Sequence, residues 1–183
     1  MSVHILALVG SLCSGSHNRQ LAEAAVKHAP EGVEITLYEG LAEVPFYNED
    51  IDTDEQRPAA AARLRETAGR ADAFLLVTNG TMPAVLKNAI DWLSRPFGSS
   101  ALAGSPTAVV GTAFGQYGGV WAQDDARKSA GIAGVTILED VELAIPGSVT
   151  RFAETHPADD TEAVAQLRQV LSALAATIEV PAT

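Results

Sequence analysis

Short apolar runs recur along the chain with stretches of three- and four-residue spacing between them, the alternation expected of βαβ units folded around a parallel sheet. His4 to Val9 predicts the first strand, nearly continuous in apolar character as a strand covered on both faces should be. From Asn18 the period turns helical through Leu21, Ala24, Ala25 and His28, until Pro30 and Gly32 end it. Val33 to Tyr38 alternates apolar with polar residues and predicts a second strand, less buried and nearer an edge. Glu39 to Thr53 has no period, and its Val44-Pro45-Phe46-Tyr47 cluster puts aromatic surface on a loop. A helix is expected from near Asp54, with Pro58 accepted in its first turn, to about Ala68. Ala73 to Thr78 predicts a third strand, and Pro83 opens a helix carrying Val85, Leu86, Ala89, Ile90 and Leu93, ended by Pro96. Thr107 to Gly111 supplies a fourth strand, followed by a glycine-rich loop, Thr112 to Gly119, and a helix ending near Gly131. Val135 to Leu138 fits a fifth strand. Glu139 to Pro157 shows no clear pattern, although Val141 to Ile145 suits an extension of the sheet edge. Thr161 to Thr177 closes the chain as an amphipathic helix with Val164, Leu167, Leu171 and Leu174 on one face and Asp159 or Asp160 placed to cap it.

No repeat, low-complexity segment or long linker divides the 183 residues, and a hydrophobic content of 47% suits one domain with a full core. The formal net charge of −11 repels nucleic-acid phosphates and anionic membranes, so neither is expected as a partner. It does not exclude a phosphate ligand, because backbone N–H groups at a helix N-terminus hold an anion locally whatever the net charge. Cys13 is the only cysteine, which rules out an intramolecular disulfide and a zinc site built on several thiolates, and suits a reducing cytoplasm. Met1 to Leu8 enters the first strand with no basic leader or cleavage site, and no apolar stretch approaches the roughly 20 residues of a spanning helix. His4, His17, His28 and His156 are dispersed without ligand spacing, so no metal is expected.

In an open parallel sheet the ligand crevice lies beyond the carboxyl ends of the strands, which directs attention to the loops Gly10 to His17, Asn79 to Met82 and Thr112 to Gly119. The first reads Gly10-Ser11-Leu12-Cys13-Ser14-Gly15-Ser16-His17-Asn18. Its glycines permit close approach, and its serines, asparagine and unpaired amides offer many donors with no carboxylate among them. Two readings stand side by side: an anion cradle, or an ordinary strand-to-helix turn in which Ser16 or Asn18 caps the helix. The loop lacks both the Gly-Lys-Ser/Thr of a Walker loop and the dinucleotide glycine fingerprint, so a monophosphate is the better fit.

Three ordered segments carry a resemblance. Gly10, Ser11, Ser16, Asn18 and Leu21 stand at matching positions of a Gly-Ser-x-Arg-x-x-Ser-x-Asn-x-x-Leu loop. Pro83-Ala84-Val85-Leu86-Lys87-Asn88-Ala89-Ile90-Asp91-Trp92 is similar to a Pro-Gly-Val-Leu-Lys-Asn-Ala-Ile-Asp-Trp helix, and Pro45-Phe46-Tyr47-Asn48-Glu49-Asp50 to a Leu-Pro-x-Tyr-Asn-x-Asp loop. The glycine pair Gly118-Gly119 follows the fourth strand as well. Together these resemble the NADPH-dependent FMN reductase family, which includes quinone, chromate and azo-dye reductases. The sequence departs from that pattern twice: Cys13 stands where the arginine usually does, and Thr78 passes straight to Asn79 without the Pro-Glu-Tyr that usually precedes that asparagine.

The resemblance implies a flavodoxin-like α/β fold, a five-stranded parallel sheet in the order 2-1-3-4-5 with helices on both faces. It implies an NAD(P)H-dependent reductase in which NADPH or NADH reduces FMN, and the flavin passes electrons to free flavin, a quinone or a similar acceptor. The flavin carries the chemistry, so no catalytic side chain is expected. Ser11, Cys13, Ser16, His17 and Asn18 are the candidates at the phosphate, and Asn79, Gly80, Thr81, Met82, Thr112 and Gly115 those around the ring. A competing reading is a flavodoxin-like module without catalysis that binds another phosphorylated small molecule or serves as a subunit scaffold, and a third is a single-electron carrier. Cys13 is read as a phosphate contact or bystander, since no base is assigned beside it. Trp92 is expected at a homo-oligomer contact through its helix, and Tyr117 and Trp121 either cover the ring or simply pack. Asp124-Asp125 is read as charge complementing the first turn of the fourth helix.

Overall fold

A computed structural model describes residues 2–179, so Met1 of the leader reading lies outside the described residues. Strands β1 (Val3–Val9), β2 (Val33–Leu37), β3 (Ala73–Thr78) and β4 (Pro106–Thr112) alternate with helices α1 (His17–Lys27), α2 (Ala59–Ala68) and α3 (Ala84–Leu93). Helix α4 (Val120–Ile132), strands β5 (Thr136–Ile137) and β6 (Leu143–Ile145), the single turn α5 (Ser148–Arg151) and helix α6 (Thr161–Glu179) follow. All pairings are parallel, in the order β2-β1-β3-β4-β5, with β6 also on β4. This is the expected flavodoxin-like sheet.

Alternate residues of each central strand feed two cores. Ile5, Ala7 and Val9 of β1 and Leu75 and Val77 of β3 join Leu21 and Ala25 of α1 and Leu167, Leu171 and Leu174 of α6 on one face. Leu6, Leu8, Phe74 and Leu76 meet Leu64 of α2, Leu86 and Leu93 of α3 and Ala126 and Ala130 of α4 on the other. Both faces of β1 and β3 are covered, which is why their sequences read as unbroken apolar runs. At Gly111 a Cβ would sit 2.3 Å from the Thr78 carbonyl oxygen, so only glycine lets β3 and β4 close together there.

Several expectations shift. Helix α2 starts at Ala59 with Pro58 at its N-cap, five residues later than Asp54, because a turn closed by Thr53 accepting from Gln56 and Arg57 occupies that stretch. Asp124 and Asp125 lie beyond the first turn of α4, whose N-cap is Gly119 at φ 85°, so they do not complement its terminus. Asp160, rather than Asp159, caps α6 by accepting from the Ala163 N–H at 2.9 Å.

The fifth strand position is split, since the chain leaves β4 after Ile137 and returns at Leu143. In that gap the Val109 carbonyl has no strand partner. Arg127 of α4, only 7% exposed, fills it by donating from Nη2 to Val109 O at 3.3 Å, while Gln123 donates to Leu143 O at 2.9 Å. Two side chains of one helix thus complete the hydrogen bonding of a broken edge.

Trp92 is the largest correction. It is fully buried, donates from Nε1 to Pro45 O at 2.8 Å, meets Tyr47 edge-on and lies under the Arg65 guanidinium. Its side chain is core, not contact surface. Asn88 adds bonds to the Val44 and Pro45 carbonyls and accepts from the Tyr47 N–H, so α3 holds the whole Pro45–Tyr47 loop. Beyond it Arg65, then Arg57, bind Asp52 and hold its carboxyl below the usual carboxylate range.

Candidate functional site

β1 leads to β2 on one side and to β3 and β4 on the other, so the loops after β1, β3 and β4 diverge around one crevice. A cavity of about 430 Å³ opens there, lined by Ser16, His17, Asn18, Asn79, Gly80, Thr81, Thr112, Ala113, Phe114 and Ser148. Two other cavities are of similar size, one against His4 and Arg70 and one between α3 and α4, but neither lies at the strand ends.

Ser16 caps α1 by accepting from the Asn18 N–H at 3.2 Å, which leaves its hydroxyl proton to donate elsewhere. Among the described residues the amides of positions 12 to 15, His17 and Arg19 form no hydrogen bond to the protein, as the start of a helix requires. The two readings of this loop are therefore compatible: the serine caps the helix and the loop still offers a row of donors.

Asn18 is only 6% exposed and is spent on the protein itself. Its Oδ1 accepts from the Thr112 N–H at 2.8 Å, and its Nδ2 donates to Thr112 O at 2.9 Å and to Asn79 Oδ1 at 3.1 Å. One amide thus ties together the loops of all three strands. Thr112 is equally committed, its hydroxyl donating to Ile145 O at 2.8 Å. The Ser148 N–H donates to Ala113 O, which brings Ser148 to the cavity wall from the segment after β6. The His17 imidazole meets the buried Phe152 ring edge-on at 5.8 Å.

Of the eleven candidates, seven line the cavity: Ser16, His17, Asn18, Asn79, Gly80, Thr81 and Thr112. Ser11 is half-buried, Cys13 and Gly115 are exposed, and none of the three reaches the lining, although each sits on a bordering loop. Met82 is turned away, packed on the core beneath α3 and α4 with its sulfur 3.9 Å from Ser129 Oγ. A thioether finds more contact there than on a polar rim. Ala113, Phe114 and Ser148 were missed. Phe114, 75% exposed, lay within a loop already singled out, whereas Ser148 lay in the patternless stretch from Glu139 to Pro157. Tyr117 and Trp121 meet at a tilt with ring centroids 5.0 Å apart, both exposed, outside the lining.

The donor set fits an anionic, flat ligand. Neutral donors converge at the α1 end, no carboxylate lines the wall among the described residues, and the volume is that of a small-molecule site. Fold and cavity together define a flavodoxin-like protein with a donor-lined cavity at the topological switch point of its sheet. Residues 3–150 match the family described as NADPH-dependent FMN reductase, and the chain belongs to that family. Over 159 residues it is 38% identical to a quinone reductase of Pseudomonas putida, covering 85% of this chain and 84% of that one. It is 35% identical over 175 residues to an NAD(P)H-dependent FMN reductase of Pseudomonas aeruginosa, covering 94% and 93%. Among solved structures, the flavoenzyme NAD(P)H:(acceptor) oxidoreductase FerB of Paracoccus denitrificans superposes with a TM-score of 0.84 at 29% identity, over 97% of each chain. The protein is an NAD(P)H-dependent oxidoreductase with FMN as its cofactor. No described helix is long and apolar enough to cross a membrane.

Proposed function

We propose that the protein reduces quinones at the expense of NADPH or NADH, with FMN held across the ends of β1, β3 and β4. The observation that carries the reading is the donor-lined cavity at the switch point, free of carboxylates among the described residues. In it, Ser16 and the unpaired amides of residues 12 to 15 and His17 bind the phosphate. Ser11 and Cys13, from the same loop, reach that end only if the loop closes on the ligand. Asn79, Gly80, Thr81 and Phe114 border the isoalloxazine, and Gly115 leaves backbone room beside it. Asn18 and Thr112 hold these walls in register through the bonds described above. FMN held there would supply two-electron redox chemistry between the nicotinamide and the acceptor. The protein's part is binding, orientation and a flat slot. Quinone as acceptor is supported by the relatives named quinone reductases, of which one shares 38% of aligned residues.

The reading includes a cytoplasmic location, where nicotinamide nucleotides and free thiols such as Cys13 are kept reduced, and a homo-oligomer. With Trp92 buried, the contact falls on the opposite side of its helix. There Phe97 is 80% exposed and Ile132 73%, flanking a groove between α3 and α4, an apolar patch of the kind that marks interfaces. Adding FMN to the purified apoprotein is expected to quench its fluorescence, and the complex to oxidise NAD(P)H when a benzoquinone is supplied. Absence of both overturns the reading. Light scattering at the mass of one chain overturns the oligomer alone.

A further inference from the structure

Among the described residues that line the cavity, His17 alone carries an ionisable side chain. We infer that His17 is the proton-linked contact for the ligand's phosphate, so that FMN is held more tightly as pH falls and released as it rises. The inference rests on the FMN reading and deepens it. His17 is the first residue of α1, directly after the Ser16 cap, and its backbone amide belongs to the unpaired row at the start of that helix. Its imidazole lines the wall, held edge-on by Phe152, and among the described residues neither ring nitrogen has a protein hydrogen bond. A half-buried imidazole with both nitrogens unspent, beside a phosphate cradle that contains no lysine or arginine, is the one group there able to supply a full positive charge.

The charged neighbours do not compete for that role. On α1, Arg19 is occupied by Glu23 and Glu39, and Glu23 also approaches His156. From the α5 side, Arg151 lies over the Phe152 ring and is held by Asp160 and Glu162. Cys13 is exposed on the preceding loop, and Asn79, Thr112, Phe114 and Ser148 opposite are neutral. His17 takes part in none of these ion pairs. An imidazole changes charge between about pH 8 and pH 5, and a charge-assisted bond to phosphate is about twice as strong as a neutral one. Binding the dianion therefore takes up a proton at His17. The added affinity is complete at low pH and is lost as pH rises through the value at which the complexed imidazole deprotonates.

The experiment measures the dissociation constant of FMN for the full-length apoprotein by fluorescence quenching from pH 8.5 to pH 6.5. A phosphate monoester keeps its second charge above about pH 6, so the ligand itself changes little across that window. The wild type is expected to bind about five- to tenfold more tightly at pH 6.5 than at pH 8.5. His17→Gln should bind FMN with less than about a twofold change, and riboflavin, which lacks the phosphate, should show no pH dependence with either protein. His17→Asn is a second neutral variant in case the glutamine disturbs the loop, and circular dichroism verifies the fold of each. FMN bound with a flat profile by the wild type, a slope retained in both variants, or an equal slope for riboflavin overturns the assignment to His17 while leaving FMN binding intact. No FMN binding at any pH overturns the FMN reading itself, and the inference with it.

Discussion

Replacing Asn18 by alanine removes the amide that joins the three loops around the cavity, and its cost follows from the partners left behind. Thr112, 1% exposed, loses the acceptor for its N–H at 2.8 Å and the donor to its carbonyl at 2.9 Å. Asn79 loses a bond at 3.1 Å, but its side chain is only partly buried and water can replace the donor. Counting the Thr112 pair alone, at about 1–3 kcal/mol for each buried group left unsatisfied and less where water enters from the adjoining cavity, Asn18→Ala should cost about 2–4 kcal/mol. For a chain of 183 residues that is a fall in Tm of about 5–15 °C. Urea denaturation followed by tryptophan fluorescence measures it, since the buried Trp92 reports the loss of the core. Because the loops of β1 and β4 would then move independently, FMN affinity should also fall about tenfold, equal to about 1.4 kcal/mol. A loss of stability below about 0.5 kcal/mol, within the range of an ordinary surface change, would show that the amide is not the tie between these loops.

Three further outcomes are expected. Trp92→Phe keeps the ring in the core but removes the bond to Pro45 O, so it should cost about 1–2 kcal/mol in urea denaturation and leave the mass in light scattering unchanged; a change of mass would return Trp92 to the interface. Arg127→Met leaves the Val109 carbonyl and Gln123 Oε1 unpaired beside the broken edge strand and should cost about 1–3 kcal/mol, read from the same titration, with equal stability refuting the role given to Arg127. Asp160 is held at a pKa of about 2 by Arg151 first and by the α6 amides after it, below its unfolded value of about 3.9. Its contribution is therefore present above about pH 4 and lost as pH falls through 2, and Asp160→Asn should flatten the acid limb of unfolding free energy against pH in that window.

The regular elements were legible where the signal is local. The β1 and β3 runs are apolar because both faces are covered, and the stripes of α3 and α6 repeat every three or four residues because one face is. The donor-rich loop after β1 was legible for the same reason, since cap, serines and glycines lie within nine consecutive positions. What the sequence concealed is set by partners far along the chain. A tryptophan on an apolar helix face looks alike in a core and in an interface, and Trp92 is core only because the Pro45 loop, 47 residues earlier, accepts its proton. Arg127 reads as an ordinary helix charge until the break between Ile137 and Leu143 leaves a carbonyl for it to meet. Ser148 reaches the cavity through a backbone bond to Ala113, a contact that no periodicity announces.

Asn18 shows why this division bears on function. Local reading assigned it to the ligand, because an asparagine beside a helix cap in a donor-rich loop resembles a phosphate contact. In the fold its amide reaches 94 residues along the chain to Thr112, and the groups left facing the cavity are backbone amides, Ser16 and His17. Short of proline, substitution leaves backbone donors in place, so variation in ligand grip within such a loop comes mainly from the few side chains that still face inward. In this chain, with a cysteine on the exposed rim and no lysine or arginine in the wall among the described residues, that leaves the imidazole as the side chain whose charge state can change the hold on a phosphate.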